Sequence, residues 1–316
     1  MENKKAYRFD FYKHRKTYFA ISIVIMVVGI IFNILFGVKM DIQFSGGAMI
    51  KYAVSGGTVT TAEVENTVRD TLDRDSSVSI NQGLMDQADT HVTITFAGNQ
   101  AISLDDQTAL AKALSDQNES LTFTLEESSS VDPSMGQSFF LKCLICLAIT
   151  VVLLLIYIGF RFRKIGGLSA GVTAILALLH DVLVIYFVFV IFRMPINDIF
   201  IAVILTILGY SLNDTIVVYD RIRENRRKQG AKQSYSENVN LSLNQTMTRS
   251  ILTSVTTFMA LLVVGVVAYL YGMTTVTTFA FPMLIGVVSG CYSSLFIAAP
   301  LYAVWKQRGK SPKAKA

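Results

Sequence analysis

Six long apolar runs dominate the chain, and one long polar stretch separates the first run from the other five. A helix needs about 20 apolar residues to cross the hydrocarbon core of a bilayer. The pattern therefore predicts a polytopic α-helical membrane protein with six transmembrane helices. We expect these helices at residues 18–36, 139–160, 168–191, 199–219, 251–271 and 275–304.

The polar stretch, residues 37–138, shows the periods of strands and helices in alternation. Thr60 and Glu63 have the spacing of a capping box at the start of a helix, and Ser103 can cap a second helix. Alternating apolar positions mark the strands. The predicted elements are strand 47–54, helix 60–74, strands 77–85 and 91–96, helix 104–117 and strand 121–125. The order is βαββαβ, which predicts a ferredoxin-like α+β domain.

Charge orients these elements across the membrane. The chain has 52% hydrophobic and only 16% charged residues, which excludes an ordinary soluble domain. Lys and Arg cluster at both ends and in alternate loops, as the positive-inside rule expects of cytoplasmic segments. The predicted division is a cytoplasmic N-terminal segment 1–17, helix 1 at 18–36, an extracytoplasmic domain 37–138, helices 2–6 within 139–304 and a basic cytoplasmic tail 305–316.

The net charge of +5 is explained by this topology and by anionic lipid headgroups of the bilayer, so no nucleic-acid partner is expected. The first span is too long for the apolar core of a typical signal peptide, so we expect it not to be cleaved. The sequence shows no phosphate-binding loop, no zinc-ligand spacing and no nucleophile elbow. We therefore expect no cofactor, no metal and no enzyme activity, so energy must come from an ion gradient or a partner subunit.

Polar residues inside the fourth and fifth spans are the strongest functional signal. Asp214 lies about 9 Å inside the cytoplasmic end of the fourth helix, with Asn213 beside it. If the fifth helix begins near Val239, ahead of its apolar run, Arg249 lies about 15 Å along it, close to the depth of Asp214. Intramembrane charges are rare and mark ion or substrate paths, so we expect Asp214 and Arg249 to face each other in a proton relay. The alternative is a static ion pair that only fixes helix register.

His180 and Asp181 form a second polar pair, near the middle of the third span. A histidine there can belong to the same proton relay, because its pKa lies near physiological pH. It can equally well serve only to hydrogen-bond a neighbouring helix.

Two short segments join the polar domain to the membrane. Asp41, Gly46 and Gly47 follow the first span, and Pro133 and Gly136 precede the second. Proline and glycine there indicate a hinge that transmits helix motion to the domain, although a plain turn is an equal alternative. Asp220 and Arg221 close the fourth span and are placed with this coupling group.

These residues resemble a known family. The run 209–225, the segments 9–15 and 41–47, the pair His180–Asp181 and the run 240–257 with Arg249 are similar to the SecD/SecF family of the resistance-nodulation-division superfamily. The resemblance implies a bacterial cell-membrane subunit, unfused to SecD but paired with it, that assists the SecYEG channel and SecA. It implies that the proton-motive force pulls preproteins outward, and that Asp214 and Arg249 conduct protons.

The leading hypothesis is therefore a transport subunit that couples proton flow to late protein export. The first alternative is half of a small-molecule exporter of the same superfamily, which would be expected to have a larger external domain. An intramembrane hydrolase using His180 and Asp181 is a third class, but no serine nucleophile or second acid completes such a site. Polar faces on helices three to five predict pairing with a second six-span chain.

Overall fold

The structure is a computed structural model that describes residues 9–57, 59–74, 76–82, 90–96, 102–117, 121–229 and 233–308. Its helices are α1 (Arg15–Phe36), α2 (Ile42–Ser45), α3 (Thr61–Leu72), α4 (Leu104–Gln117), α5 (Pro133–Arg161), α6 (Gly167–Ile191), α7 (Asp198–Gln229), α8 (Tyr235–Leu270), α9 (Thr274–Tyr292) and α10 (Ala299–Arg308). Its strands are β1 (Gly47–Ser55), β2 (Ser76–Gln82), β3 (Thr90–Phe96) and β4 (Thr122–Val131).

In the described part of the chain, six helical spans are long and apolar enough to cross a membrane, which confirms the predicted helix count. The sixth is continuous from α9 through a π-helical segment, Ser293–Ala298, into α10. α8 begins at Tyr235, before the expected helix start near Val239 and well before the apolar span predicted from residue 251, because a capping box between Ser234 and Glu237 starts it there. The first turns of α8 are polar, so apolar length alone could not find this helix start.

α6, α7 and the sixth span form the centre of the bundle. Half or more of the apolar segment of each is buried, whereas α1, α5 and α8 leave most of theirs exposed. Small residues on α6, including Ala170, Ala174 and Ala177, are fully buried and allow its neighbours to approach. The peripheral helices present their apolar side chains outward, as lipid or another membrane chain requires.

The domain between α1 and α5 has the predicted βαββαβ order. Its four strands form one sheet in the order β2-β3-β1-β4, with every neighbouring pair antiparallel. The capping box of Thr60 and Glu63 is present at α3, and the Ser103 hydroxyl caps α4 by accepting from the Asp106 amide. Residues 83–85 of the predicted second strand lie outside the described residues.

One face of this sheet carries the domain's core. Ile50, Tyr52, Val92 and Ile94 on β1 and β3 are completely buried, with Val64 and Val68 of α3 and Leu110 of α4 in the same cluster. The alternation of buried and partly exposed positions along β3 is complete from Thr90 to Phe96. The two helices therefore cover one face, and the other face stays open.

The chain before α1 docks on the first turns of α8. The Asn240 amide donates to Asp10 Oδ1 at 2.7 Å and accepts from the Tyr12 backbone at 2.9 Å. Phe11 is buried and its ring lies 5.6 Å from that of Phe296. The segment thereby fixes α1 against α8 and the sixth span. Residues 1–8 and 309–316 of the predicted terminal segments lie outside the described residues.

Candidate functional site

A buried carboxyl group lies where α6, α7 and the sixth span meet. Asp181 is fully buried and accepts three hydroxyl hydrogen bonds of 2.6 Å each. Ser211 of α7 and Ser293 of the π-helical segment donate to Oδ2, while Ser289 of α9 donates to Oδ1. Hydrogen bonds of this kind stabilise a buried carboxyl group that would otherwise be costly. We call these four residues the serine cluster.

His180 lies beside the serine cluster. Its Nδ1 is 3.2 Å from Asp181 Oδ1, and its ring centre is 6.0 Å from that of Tyr292. Its Nε2 is buried and has no hydrogen-bond partner among the described residues. The sequence left a proton relay and a simple helix contact equally open. The structure brings His180 to Asp181 and gives it no hydrogen bond to a neighbouring helix within the described part of the chain.

The π-helical segment positions the hydroxyls of the sixth span. A π-helical turn widens the helix and is frequent at functional sites. It orients Ser293 toward Asp181 and Ser294 toward α7, where Ser294 Oγ donates to the Ser211 carbonyl at 3.1 Å. The Ser294 hydroxyl also lies 2.8 Å from that of Thr215. A row of buried hydroxyls therefore continues along α7 from the serine cluster.

Two glycines of α9 allow this close approach. A Cβ atom on Gly290 would lie 3.0 Å from Ser211 Cβ, and one on Gly286 would lie 2.5 Å from Ile207 Cδ1. Larger residues would therefore force α9 away from α7 and lengthen the hydrogen bonds to Asp181. Gly286, Gly290, Ser294 and Ala298 recur every four residues, a pattern typical of close helix packing, and here this packing also brings the serines into range of Asp181.

Asp214 lies on α7 next to α8. It is partly buried, and the Ser250 hydroxyl of α8 donates a short hydrogen bond to its Oδ1. Its Oδ2 is buried and has no hydrogen-bond partner among the described residues. This carboxyl group is thus much less satisfied than Asp181, with one hydroxyl partner in place of three.

The direct ion pair expected between Asp214 and Arg249 is not formed, since no ion pair within 4.0 Å joins them in the described structure. Arg249 and Asn213 are both exposed on the bundle surface. Consecutive residues of a helix point about 100° apart, and the rotation that turns Ser250 toward Asp214 turns Arg249 outward. Of the five residues expected in the proton relay, two are buried together, one is half-buried and two are exposed. They are, in that order, His180 and Asp181, Asp214, and Asn213 and Arg249.

Asp220 and Arg221 tie the ends of three helices together. Asp220 forms ion pairs with Arg161 of α5 at 2.7 Å and with Arg223 at 2.8 Å. Arg221 Nε donates to Gln245 Oε1 of α8 at 2.6 Å. The two residues thus hold α7 between α5 and α8 at one end of the bundle. Exposed pairs of this kind contribute at most about 1 kcal/mol each.

The segments before and after the sheet domain pack against each other at Gly46, Gly47, Pro133 and Gly136. Gly46 has φ of 77°, and a Cβ atom there would lie 2.5 Å from Pro133 Cα. Gly47 has φ of 143°, which also requires glycine. A Cβ atom on Gly136 would lie 3.1 Å from the Phe44 carbonyl. Close backbone contact, not an open loop, joins the domain to α5.

Asp41 connects this junction to the chain that leads into α7. Its carboxylate caps α2 by accepting from the Gln43 amide at 3.0 Å, and burial raises the pKa of its carboxyl group. Its backbone amide donates to the Ile196 carbonyl at 3.1 Å, and the Ile196 amide donates to the Lys39 carbonyl at 2.8 Å. Residues 39–41 therefore pair with the chain that runs directly into α7.

Sequence reasoning missed the hydroxyl groups that serve the two acids. Ser250, Ser289 and Ser293 lie among other serines and threonines of the fifth and sixth spans and form no recognisable motif. The usable signal was indirect, because a carboxyl group kept in a bilayer span must find donors on neighbouring helices. Which of the many serines and threonines serve it depends on helix rotation and on the π-helical turn.

These features define a class, a multi-pass membrane protein with an α+β domain between its first two spans. Residues 110–308 match the family model described as protein export membrane protein SecD/SecF, C-terminal. The chain belongs to the SecD/SecF family.

Similar proteins agree with this assignment. The chain is 33% identical over 314 residues to protein translocase subunit SecF of Thermobaculum terrenum, covering 95% of this chain and 94% of that protein. It is 34% identical over 303 residues to protein translocase subunit SecDF of Bacillus subtilis, covering 95% of this chain but 38% of the longer protein. The crystal structure of SecDF from Thermus thermophilus superposes with a TM-score of 0.80 at 26% identity, covering 95% of this chain and 39% of that one.

Proposed function

We propose that this chain is the SecF-type subunit that works with SecD and couples the proton-motive force to late protein export through SecYEG and SecA. The observation that carries the proposal is the state of Asp214, a membrane-depth carboxyl group with one buried oxygen unsatisfied among the described residues. A purely structural ion pair would satisfy its buried oxygens. An acid that gains and loses a proton needs a carboxyl oxygen that is free to bind the proton.

The Ser250 hydroxyl suits both protonation states of Asp214. A serine hydroxyl donates to an ionised carboxylate and accepts from a protonated acid, so the Asp214–Ser250 contact survives the transfer. Arg249 is exposed and has a long side chain, so it can move toward or away from Asp214 and change which state is favoured. Exposure of Asp214 to alternate sides of the membrane then makes the transfer directional.

Proton transfer reaches the sheet domain through α7. The serine cluster fixes α7 to α6 and the sixth span one helical turn before Asp214. The chain that begins α7 pairs with Asp41 and so with the junction at Gly46 and Pro133. We propose that His180 and Asp181 belong to the proton path and that residues 39–47 and 132–136 carry the movement to the domain.

Exposed polar groups at membrane depth support a second membrane chain as partner. Asn213 and Arg249 face outward from the bundle. Lipid tails cannot satisfy such groups, whereas the polar face of another six-span chain can. SecD is the proposed partner, since single-chain SecDF relatives include the part that this chain matches.

The same proposal assigns sides and domains. The chain would lie in the bacterial cell membrane with both termini in the cytoplasm, because the loops on that side hold nearly all the Lys and Arg. Residues 37–138 would lie outside and contact emerging preproteins. The division into 1–17, 18–36, 37–138, 139–304 and 305–316 stands as part of this proposal.

Two experiments test the proposal against the small-molecule exporter. Depletion of the chain should slow the processing of a secreted protein in a pulse-chase assay and leave the efflux of a fluorescent drug unchanged. Purification in mild detergent should bring SecD along. Normal export together with lost drug efflux would favour the exporter.

A further inference from the structure

A basic cavity opens where α7 leaves the apolar part of the bundle. It has a volume of about 560 Å³ and is lined by Lys164, Ile165, Arg223, Glu224, Arg226 and Arg227. Four of these six residues are cations. The acid contributes no free negative charge, since Glu224 is paired with Arg221 and Lys228, both at 2.6 Å.

Three of the four cations keep their charge available. Arg223 is paired with Asp220, but the described part of the chain contains no ion pair for Lys164, Arg226 or Arg227. The guanidinium of Arg226 lies 4.5 Å above the Tyr235 ring and donates to the Gln233 carbonyl, so it is held in place without being neutralised. A fixed positive charge beside two exposed ones attracts an anion with more than one acceptor oxygen.

A second cavity is lined by Arg163, the residue next to Lys164 in the turn Arg163–Ile165 that joins α5 to α6. It has a volume of about 430 Å³ and an almost wholly apolar wall of helix residues, with Arg163 at one end. Gly159 and Gly171 form part of its floor, because a Cβ atom on Gly159 would meet nothing within 4 Å and one on Gly171 nothing closer than 3.9 Å. Because glycine has no side chain, a groove remains along α5 and α6.

We infer that the two cavities form one binding site for an anionic phospholipid, with an acyl chain in the groove of α5 and α6 and the phosphate headgroup on Lys164, Arg226 and Arg227. The positive charge of the first cavity and the position of both cavities along the membrane spans favour an anionic phospholipid. The groove lies along apolar spans, while the cations lie beyond the last apolar turn of α7, where headgroups begin. Basic pockets between spans at a membrane surface are suited to such headgroups.

Native mass spectrometry of the whole purified chain tests the site with added cardiolipin, phosphatidylglycerol or phosphatidylcholine. The double variant Lys164→Gln/Arg227→Gln should bind the two anionic lipids about 25-fold more weakly, at about 5-fold per cation. Lys13→Gln/Lys16→Gln is the matched control, because it removes two exposed lysines at the same end of the bundle outside the cavity. The control should change binding less than about 2-fold.

A second matched pair of variants tests the apolar groove. Gly159→Leu fills the groove, whereas Gly209→Leu adds the same side chain to an open position of α7. Retention of lipid should fall in Gly159→Leu and remain in Gly209→Leu. Equal losses in Lys164→Gln/Arg227→Gln and in its control Lys13→Gln/Lys16→Gln, or no loss in Gly159→Leu, would overturn the inference. So would binding of inorganic phosphate as tight as that of lipid, or tighter binding of a glutamate-rich peptide, which would assign the cavity to an acidic protein segment.

Discussion

Ser211 Oγ donates a hydrogen bond of 2.6 Å to Asp181 Oδ2, one helical turn before Asp214 on the same helix. This contact fixes α7 to α6, while Asp214, on nearly the same face of α7, accepts from Ser250 of α8. The two acids therefore differ in what surrounds them. Asp181 has a complete set of donors, and Asp214 keeps one buried oxygen unsatisfied within the described structure.

Removing one donor from Asp181 should destabilise the bundle. Ser289→Ala removes a 2.6 Å hydrogen bond to a fully buried carboxyl group, so we expect a loss of about 1.5–3 kcal/mol in the free energy of unfolding. Thr206→Ala is the control, since that hydroxyl bonds only its own helix at 2.7 Å and is exposed. Unfolding in mixed micelles by a denaturing detergent measures both. Equal effects in the two variants would show that the serine cluster contributes little to stability.

The sequence predicted the architecture because its signals are local. Apolar length predicted six spans, and the Thr60–Glu63 capping box and strand alternation predicted the βαββαβ order. The rotation of each helix about its own axis cannot be predicted from local sequence, because it depends on how all the spans pack. The similar depths of Asp214 and Arg249 in the membrane therefore suggested that they face each other. In the structure, helix packing directs Ser250, and not Arg249, toward Asp214.

The junction glycines should differ in their tolerance of alanine. Gly46 and Gly37 both have positive φ, 77° and 64°, with extended ψ of 159° and −177°, a region that almost only glycine adopts, so either substitution costs about 1–3 kcal/mol of backbone strain. A Cβ atom at Gly37 meets nothing within 4 Å, whereas one at Gly46 lies 2.5 Å from Pro133 Cα. Gly46→Ala should therefore lower the free energy of unfolding by at least about twice as much as Gly37→Ala. Similar losses would mean that the junction adjusts freely.

Burial of Asp41 should make stability depend on pH. Its folded pKa is raised above 3.8, so the folded state binds more protons than the unfolded state just above that pH. Stability contributed by this group is present at lower pH and is lost as the pH rises through the folded pKa. Asp41→Asn keeps an amide oxygen to cap α2 but cannot ionise.

Thermal unfolding between about pH 4 and about pH 7 should therefore show a smaller loss of stability with rising pH in Asp41→Asn than in the unsubstituted chain. Identical pH profiles would contradict the effect of burial on this carboxyl group.

Arg249 should be required for its guanidinium group as well as its charge. Arg249→Lys keeps the charge but replaces a planar fork of donors with a compact ammonium, so proton-dependent export should be impaired. Arg249→Gln removes the charge and should be more severe. Export rates in vesicles that contain the chain, SecD and the channel compare the three forms. Full activity in Arg249→Gln would exclude this residue from the proton path.

The most direct test of the central claim is proton flux and export in Asp214→Asn, measured in the same vesicles at a known proton gradient. Asparagine keeps the shape and can still accept from Ser250, but it cannot gain or lose the proton. We predict that folding and co-purification with SecD are unchanged, while the gradient no longer drives flux or accelerates export. Normal flux and export in Asp214→Asn would contradict the account and leave Asp214 as a structural residue.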